Sequence, residues 1–227
     1  MPFMPDRNAA AVRRILESGD WSLLHRRQVR GVLREAFVTS DGYVIKRYTH
    51  LGRPPLIRRP WSLEHRALRR LQGDGAPLPV GYVVDRVDGS LRATLVRHYL
   101  AGEPVTSLEP STVEEIAGLL ARFHDAGVTT DDAHLQNFLH ADHGALAFLD
   151  FGRARIFHRY NPLLLAGVAV DLHRFYRAAL KRDDRLWSRF LESYFRQSPF
   201  RPAGKRLIRW LLAVDMRRYG WVKGSPQ

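Results

Sequence analysis

Asp132, Asn137 and Asp150 have the types and spacing to do chemistry. Asp132 stands five residues before Asn137, and Asp150 stands thirteen after it, opening an Asp-Phe-Gly triplet in the run TTDDAHLQNFLHADHGALAFLDFG. A carboxylate, an amide and a second carboxylate at these separations suit phosphoryl transfer. One acid orients an attacking hydroxyl, and the amide and the other acid hold magnesium. Upstream, Lys46 lies in the β-rich run YVIKRY and Glu64 follows eighteen residues later. A lysine in a strand is ordinarily solvated, and a lone glutamate on an apolar stripe is costly to bury without a cation. As a pair, each supplies what the other lacks, and the ammonium can be held toward nucleotide phosphates. An Asp/Asn-rich loop alone is turn chemistry, and Asp-Phe-Gly arises often by chance. The ordered set of five carries the signal.

The elements that must position these residues follow from pattern. FVTSDGYVIKRY has two β-rich runs about the turn Ser40-Asp41-Gly42, with Val29–Leu33 as a candidate preceding strand. Pro54, Pro55 and Pro60 punctuate a basic loop, RPPLIRRP. A helix is predicted from Trp61 or Ser62 to Gln72, bounded by Pro60 and Gly73, with Glu64, Leu68 and Leu71 on one face. Leu78–Val87 and Ala93–Tyr99 read as strands joined at Asp88-Gly89, and Leu100–Pro104 as a connector. Ser111 and Glu114 form a capping-box pattern ahead of the stripe Val113, Ile116, Ala117, Leu120 and Phe123, and Gly127 ends that helix. The chemistry-bearing stretch is a loop, followed by a hairpin of Phe138–His140 and Ala145–Leu149 through Asp142-His143-Gly144. From Val168 onward three helical segments follow. The order predicts an α+β, two-lobed chain. Residues 1–99 form an N-terminal lobe, a small antiparallel sheet plus one helix with an N-terminal helical extension. Residues 100–227 form a helical lobe with the catalytic loop and the Asp-Phe-Gly triplet.

Composition sets outer limits. A chain of 227 residues, 45% hydrophobic and 26% charged, has enough apolar surface for a stable core. It has no cysteine, which excludes disulfides, thiolate catalysis and cysteine-bound zinc. The beginning, MPFMPDRNAAAVRRILESGDW, lacks an apolar core before a cleavage site, so no signal peptide is expected. The longest apolar run, Pro162–Val170, is far short of the ~20 residues that span a bilayer. A soluble, cytoplasmic protein is the expectation. The net charge of +13 suits an anionic partner: an acidic membrane, a phosphorylated substrate or nucleic acid. An arginine-rich solvated surface explains the same surplus. No RNA-binding motif with interleaved aromatics appears, so nucleic acid is not expected.

Taken together, YVIKRY, SLEHRALRRL followed shortly by GAPLPVGYVV, HDAGV, DDAHLQNFLH and LDFGRAR resemble the protein-kinase-like superfamily over nearly the whole chain. Within it the chain is most similar to the small bacterial lipopolysaccharide core kinases, the Kdo and heptose kinases. The resemblance implies a protein-kinase-like fold, ATP and Mg2+. It also implies phosphorylation of a sugar hydroxyl on a lipid-linked acceptor, with the nucleotide against the connector near His98–Glu103. On this chain Lys46 would contact the α/β-phosphates and Glu64 would hold it. Asp132 would accept the hydrogen bond of the attacking hydroxyl, and Asn137 and Asp150 would bind magnesium. Asp171 matches a position where the superfamily often has an aspartate bracing the catalytic loop. The chain departs from the pattern at its start. No glycine-rich G-x-G-x-x-G loop is visible, and Gly31 stands alone in that region, with Arg30 and Arg34 as candidates to help cover the phosphates. Thr130 and Asp131 replace the histidine and arginine that often precede the catalytic acid, leaving two adjacent acids, of which spacing to Asn137 favours Asp132.

Other readings compete. A protein or small-molecule kinase, RIO-like or aminoglycoside-phosphotransferase-like, shares the same five residues. The missing glycine loop also allows a non-catalytic kinase-like binding protein. His124, His134, His140 and His143 near Asp125, Asp131, Asp132 and Asp142 raise a zinc reading, set against acids already explained. His134 is read as a cap of the loop. Trp187, Phe190, Tyr194, Phe195 and Trp210 are read as core. Arg206, Arg209, Arg217 and Arg218 around Leu207, Ile208, Leu211 and Leu212 make a basic amphipathic helix. Ordinary packing explains that helix, and so does peripheral docking on the cytoplasmic face of the inner membrane.

Overall fold

The computed structural model describes residues 8–51, 59–142, 144–158, 161–181 and 183–220, with the backbone alone at 218–220. Pro54 and Pro55 of the basic loop, His143 and the Arg218 side chain lie outside the described residues. The chain is α+β and divides into two compact units, Met1–Gly73 with Pro77–Ala101, and Asp74–Ala76 with Gly102–Gln227.

The first unit is a five-stranded antiparallel sheet with a helix on each face. Its elements are α1 (Ala9–Glu17), β1 (Trp21–Val29), β2 (Val32–Thr39), β3 (Tyr43–His50), α2 (Pro60–Leu71), β4 (Pro79–Val87) and β5 (Ser90–His98). The strand order is β1-β2-β3-β5-β4. Alternation sorts the strands: Val12 of α1 packs with Ile45, Val83 and Val96 on one face. On the other face, Trp61 of α2 packs with Tyr48, Ala93 and Leu95. Val29–Leu33 is not a strand. Arg30 and Gly31, at φ 48° and 74°, make a two-residue turn that joins β1 to β2. Arginine at a left-handed position hid that turn from pattern reading, since such positions favour Gly, Asn and Asp.

The second unit carries β6 (Gly102–Pro104), α3 (Pro110–Asp125), β7 (Val128–Thr129), β8 (Phe138–Ala141), β9 (Leu146–Phe148), β10 (Arg155–Ile156), α4 (Pro162–Phe175), α5 (Asp184–Gln197) and α6 (Pro202–Gly220). A π-helical turn, Tyr176–Leu180, continues α4. Strands β6-β8-β9 form one small sheet and β7-β10 another. Three expectations change here. Part of the Leu100–Pro104 connector is strand, because Gly102–Pro104 pairs with Leu139–Ala141. The Ser111–Glu114 capping box does not form. Pro110 starts α3 at its first position, Glu109 is the N-cap, and Glu114 instead bonds Arg189 at 2.6 Å. Helix α4 begins at Pro162, six residues before Val168, because PLLLAGVAV is uniformly apolar and shows no helical period. The stripe Val113, Ile116, Ala117, Leu120 and Phe123 is fully buried as expected, and α3 ends before Gly127, at φ 75°.

Candidate functional site

In the first unit, alternation along β3 puts Lys46 and Tyr48 on the face that α2 covers. Glu64 sits on the α2 stripe with Leu68 and Leu71, and all three are buried. Lys46 Nζ lies 2.8 Å from Glu64 Oε1. Arg97 Nε approaches the same oxygen at 3.8 Å, and the Tyr48 hydroxyl donates toward Oε2 at 3.5 Å. A dry carboxylate thus has two cations and a phenol around it, which is what burying its charge requires. Pattern reading missed Arg97. Its signal lies in the register, Val44 opposite Arg97, which sets Arg97 on the Lys46 face of β5.

In the second unit the loop from Thr130 is held from below by Asp171 of α4. The Asp171 carboxylate accepts from the Thr130 and Asp131 backbone N–H groups at 2.6 Å each and from the Thr130 hydroxyl at 3.1 Å. His124 Nε2 adds a contact at 3.2 Å, and its Nδ1 meets the Tyr194 hydroxyl at 2.8 Å. Burial and the nearby Asp171 charge push the Tyr194 phenol well above its ordinary 10.0. Tyr194 therefore keeps its proton, and the His124 ring links its hydroxyl to the Asp171 carboxylate.

The two adjacent acids part ways on this platform. Asp131 is in the left-handed region at φ 56°, and its buried carboxylate is taken by Arg174 at 2.8 Å and Arg155 at 3.4 Å. Arg174 also donates to the Asp131 carbonyl. Asp132 stays partly open, with His134 Nε2 at 3.3 Å and Arg153 Nη1 at 3.8 Å from Oδ1. Asp132 is the acid left available to a hydroxyl. His134 does not cap the loop through its side chain, which turns instead to the Asp132 carboxylate.

Asn137 and Asp150 stand at one end of the β8–β9 hairpin. Phe138 pairs with Phe148, and the Leu149 N–H donates to the Asn137 carbonyl at 2.9 Å, so Asn137 and Asp150 flank the same hairpin end. The Asn137 amide nitrogen donates to the Asp132 carbonyl at 2.9 Å, which fixes the side chain and leaves its oxygen as the acceptor. Asp150 accepts the Gly152 N–H at 3.1 Å, while Phe151 is buried against Phe123 and Phe148. An amide oxygen and one carboxylate are hard donors that suit Mg2+, which keeps several waters and needs few protein ligands. Of the histidines in the zinc reading, His143 lies outside the described residues and two others have partners. His124 is committed to Asp171 and Tyr194, and His140 faces Glu115 at 3.9 Å. Among the described residues no group of three or more His, Asp or Glu side chains could hold a metal ion.

The structure thus brings Lys46 to Glu64 in one unit, and Asp132, Asn137 and Asp150 onto one loop-and-hairpin segment in the other. Arg153, Arg155 and Arg174 went unassigned in the sequence, although the basic run after Asp-Phe-Gly held two of them. No protein-family model matches the chain, and no curated protein is significantly similar to it.

Proposed function

We propose that this protein is an ATP-dependent kinase with a two-lobed, protein-kinase-like fold. Its acceptor would be a sugar hydroxyl of a lipopolysaccharide core or a similar glycolipid. The observation that carries the reading is the 2.8 Å pair of Lys46 with buried Glu64. A strand lysine fixed by a carboxylate that water cannot reach is positioned for a task beyond surface solvation, and phosphate contact is the task that fits.

The remaining residues take roles around it. Lys46 draws the nucleotide phosphates by charge. Magnesium, when bound, would neutralise charge on the phosphate oxygens; Asn137 and Asp150 would hold it. Asp132 accepts the acceptor hydroxyl's hydrogen bond and aligns the oxygen on the γ-phosphorus. A new P–O bond forms, the bond to the ADP oxygen breaks, and the hydroxyl proton leaves through the Asp132 carboxylate. Asp171 keeps that loop from relaxing, and sequestering Asp131 on Arg155 and Arg174 keeps the second acid out of the reaction.

The test is mass spectrometry of core glycolipid after incubation with the protein, ATP and Mg2+. A gain of one phosphate supports the proposal. Asp132→Ala should cut transfer by about 10²- to 10⁴-fold while nucleotide affinity stays near wild type. Normal turnover in that variant would refute the assignment, and phosphate appearing on protein rather than glycolipid would move the acceptor to a polypeptide.

A further inference from the structure

We propose that the α1 face of the first unit's sheet, the face turned away from Lys46, carries a binding site for a phosphate dianion. Arg47 of β3 and Arg92 of β5 hold the ion beside the rings of Trp21 and Phe37. The site does not rest on the kinase reading, whose residues in this unit, Lys46 and Glu64, belong to the other face.

Register places the two arginines. Arg47 lies opposite Thr94, and Arg92 lies opposite Thr49. Side chains two apart on a strand share a face. Arg47 and Arg92 therefore stand with Ile45 and Val96, which pack against Val12 of α1. They are diagonal neighbours across the strand pair, roughly 7–8 Å apart at Cα, a span that two arginines can close on one tetrahedral oxyanion. Aromatic rings fix one of them. The Arg47 guanidinium carbon lies 5.0 Å from the centre of the Trp21 ring and 5.3 Å from that of Phe37. Stacking of this kind orients a guanidinium without using an acceptor.

Charge balance then singles out the pair. Alternation puts two strand carboxylates on this face, Glu35 and Asp85. Both are engaged, Glu35 by Arg26 at 3.5 Å and Asp85 by Arg13 at 2.9 Å. Among the described residues neither Arg47 nor Arg92 has a carboxylate within 4.0 Å, although both are half-buried. Their Nε atoms are buried without a hydrogen-bond partner among the described residues, and so is the indole Nε1 of Trp21. Buried donors without acceptors are rare and costly, and three in one patch point to an acceptor supplied from outside the chain. Burial, and after it the Arg92 charge, hold the Arg47 guanidinium below its ordinary pKa, with Glu35 opposing. The two cations thus repel each other. A carboxylate ligand would offset one charge of the two; a phosphate dianion offsets both, and guanidinium groups match its oxygens in geometry.

Titration calorimetry with sodium phosphate tests the site on the full chain, at about pH 7.5, where a phosphate monoester is largely a dianion, and with chloride holding the ionic strength constant. Wild type is expected to bind with a Kd at or below about 1 mM. R92Q should weaken binding by about tenfold or more, and R47K, which keeps the charge but loses the fork, by several-fold. K46Q, on the other face, and R66Q, which removes equal charge from an exposed position of α2, should stay within about twofold of wild type. No saturable binding by wild type would overturn the site, as would unchanged affinity in R92Q. Equal weakening by R66Q and R92Q would reduce the effect to net charge and overturn it too, and loss in K46Q instead of R92Q would move the ion to the other face. In chloride alone R92Q should melt no lower than wild type, because its charge has no partner; a loss of several degrees would make Arg92 a structural residue and overturn the site. Glucose 6-phosphate and vesicles containing phosphatidate then identify the carrier. Arg92-dependent binding of the sugar phosphate supports the site with a soluble ligand, and Arg92-dependent binding of the vesicles supports it with a lipid headgroup.

Discussion

Asp131 and Asp132 are neighbours of one chemical type in opposite circumstances. Two arginines neutralise the first in a buried, left-handed bend, while the second keeps a partly open carboxylate flanked by His134 and Arg153. Spacing to Asn137 favoured Asp132, but spacing could not say why the other acid stands aside. The reason is Arg155 and Arg174, distant in sequence. His50 shows another consequence of burial. Its ring is buried edge-on to Trp61, and its Nε2 has no partner among the described residues. Desolvation holds its pKa below the ordinary 6.5. As pH falls through that value the unfolded chain takes a proton that the folded chain refuses. The unfolded state then binds more protons, so stability drops from about pH 6.5 down to the lower folded pKa. His50→Phe keeps an aromatic ring and removes this dependence. Between about pH 7.5 and about pH 5.5 its melting temperature should gain on wild type; a constant gap would show that His50 is not the group responsible.

Elements impose their own tests through backbone contact. Gly102 opens β6 at φ 148°, and a Cβ there would run into the His140 carbonyl across the pairing to β8. Gly118, inside α3, would meet only the end of the Gln197 side chain at 2.6 Å, which can swing away. Gly102→Ala should therefore cost about 3 kcal/mol or more, and Gly118→Ala less than about 1 kcal/mol, read from urea midpoints. Equal costs would contradict this account of β6. The same elements show what the sequence disclosed. Lys46 and Glu64 were legible as partners because strand alternation and a helical stripe each marked one residue out of place. The α3 stripe was legible for the same reason. Arg97 was not, since the pairing of β5 with β3 is absent from local pattern. The Arg30-Gly31 turn was masked by an unfavoured residue, and the start of α4 by a run with no polar face. Trp210 was expected in the core; it is 62% exposed, because it lies on the side of α6 opposite the buried Ile208 and Leu212.

At the scale of the molecule, a surplus of +13 charges meets an exposed apolar strip on α6. Leu207, Trp210 and Val214 are all exposed there, beside exposed Arg206 and Arg217. Among the described residues no helix is long and apolar enough to cross a membrane. A helix with tryptophan and leucine outward between arginines suits the surface of an anionic bilayer, where a glycolipid acceptor would sit. If this strip reads anionic lipid, the protein should co-sediment with vesicles containing acidic lipid and not with neutral ones, and Trp210→Ser should weaken that binding several-fold; equal binding to both vesicle types would show that the strip does not read lipid charge. The sheet of the first unit adds a last consequence. Among the described residues strand β1 pairs only with β2, and both of its faces are largely exposed, Leu23 and Leu24 included. Such an edge is a template on which further chains could stack into aggregates. The register break between Leu23 and His25, followed by Arg26 and Arg27, spoils that template by kinking it and charging it. Those two arginines thus act as gatekeepers against strand-on-strand stacking at this edge.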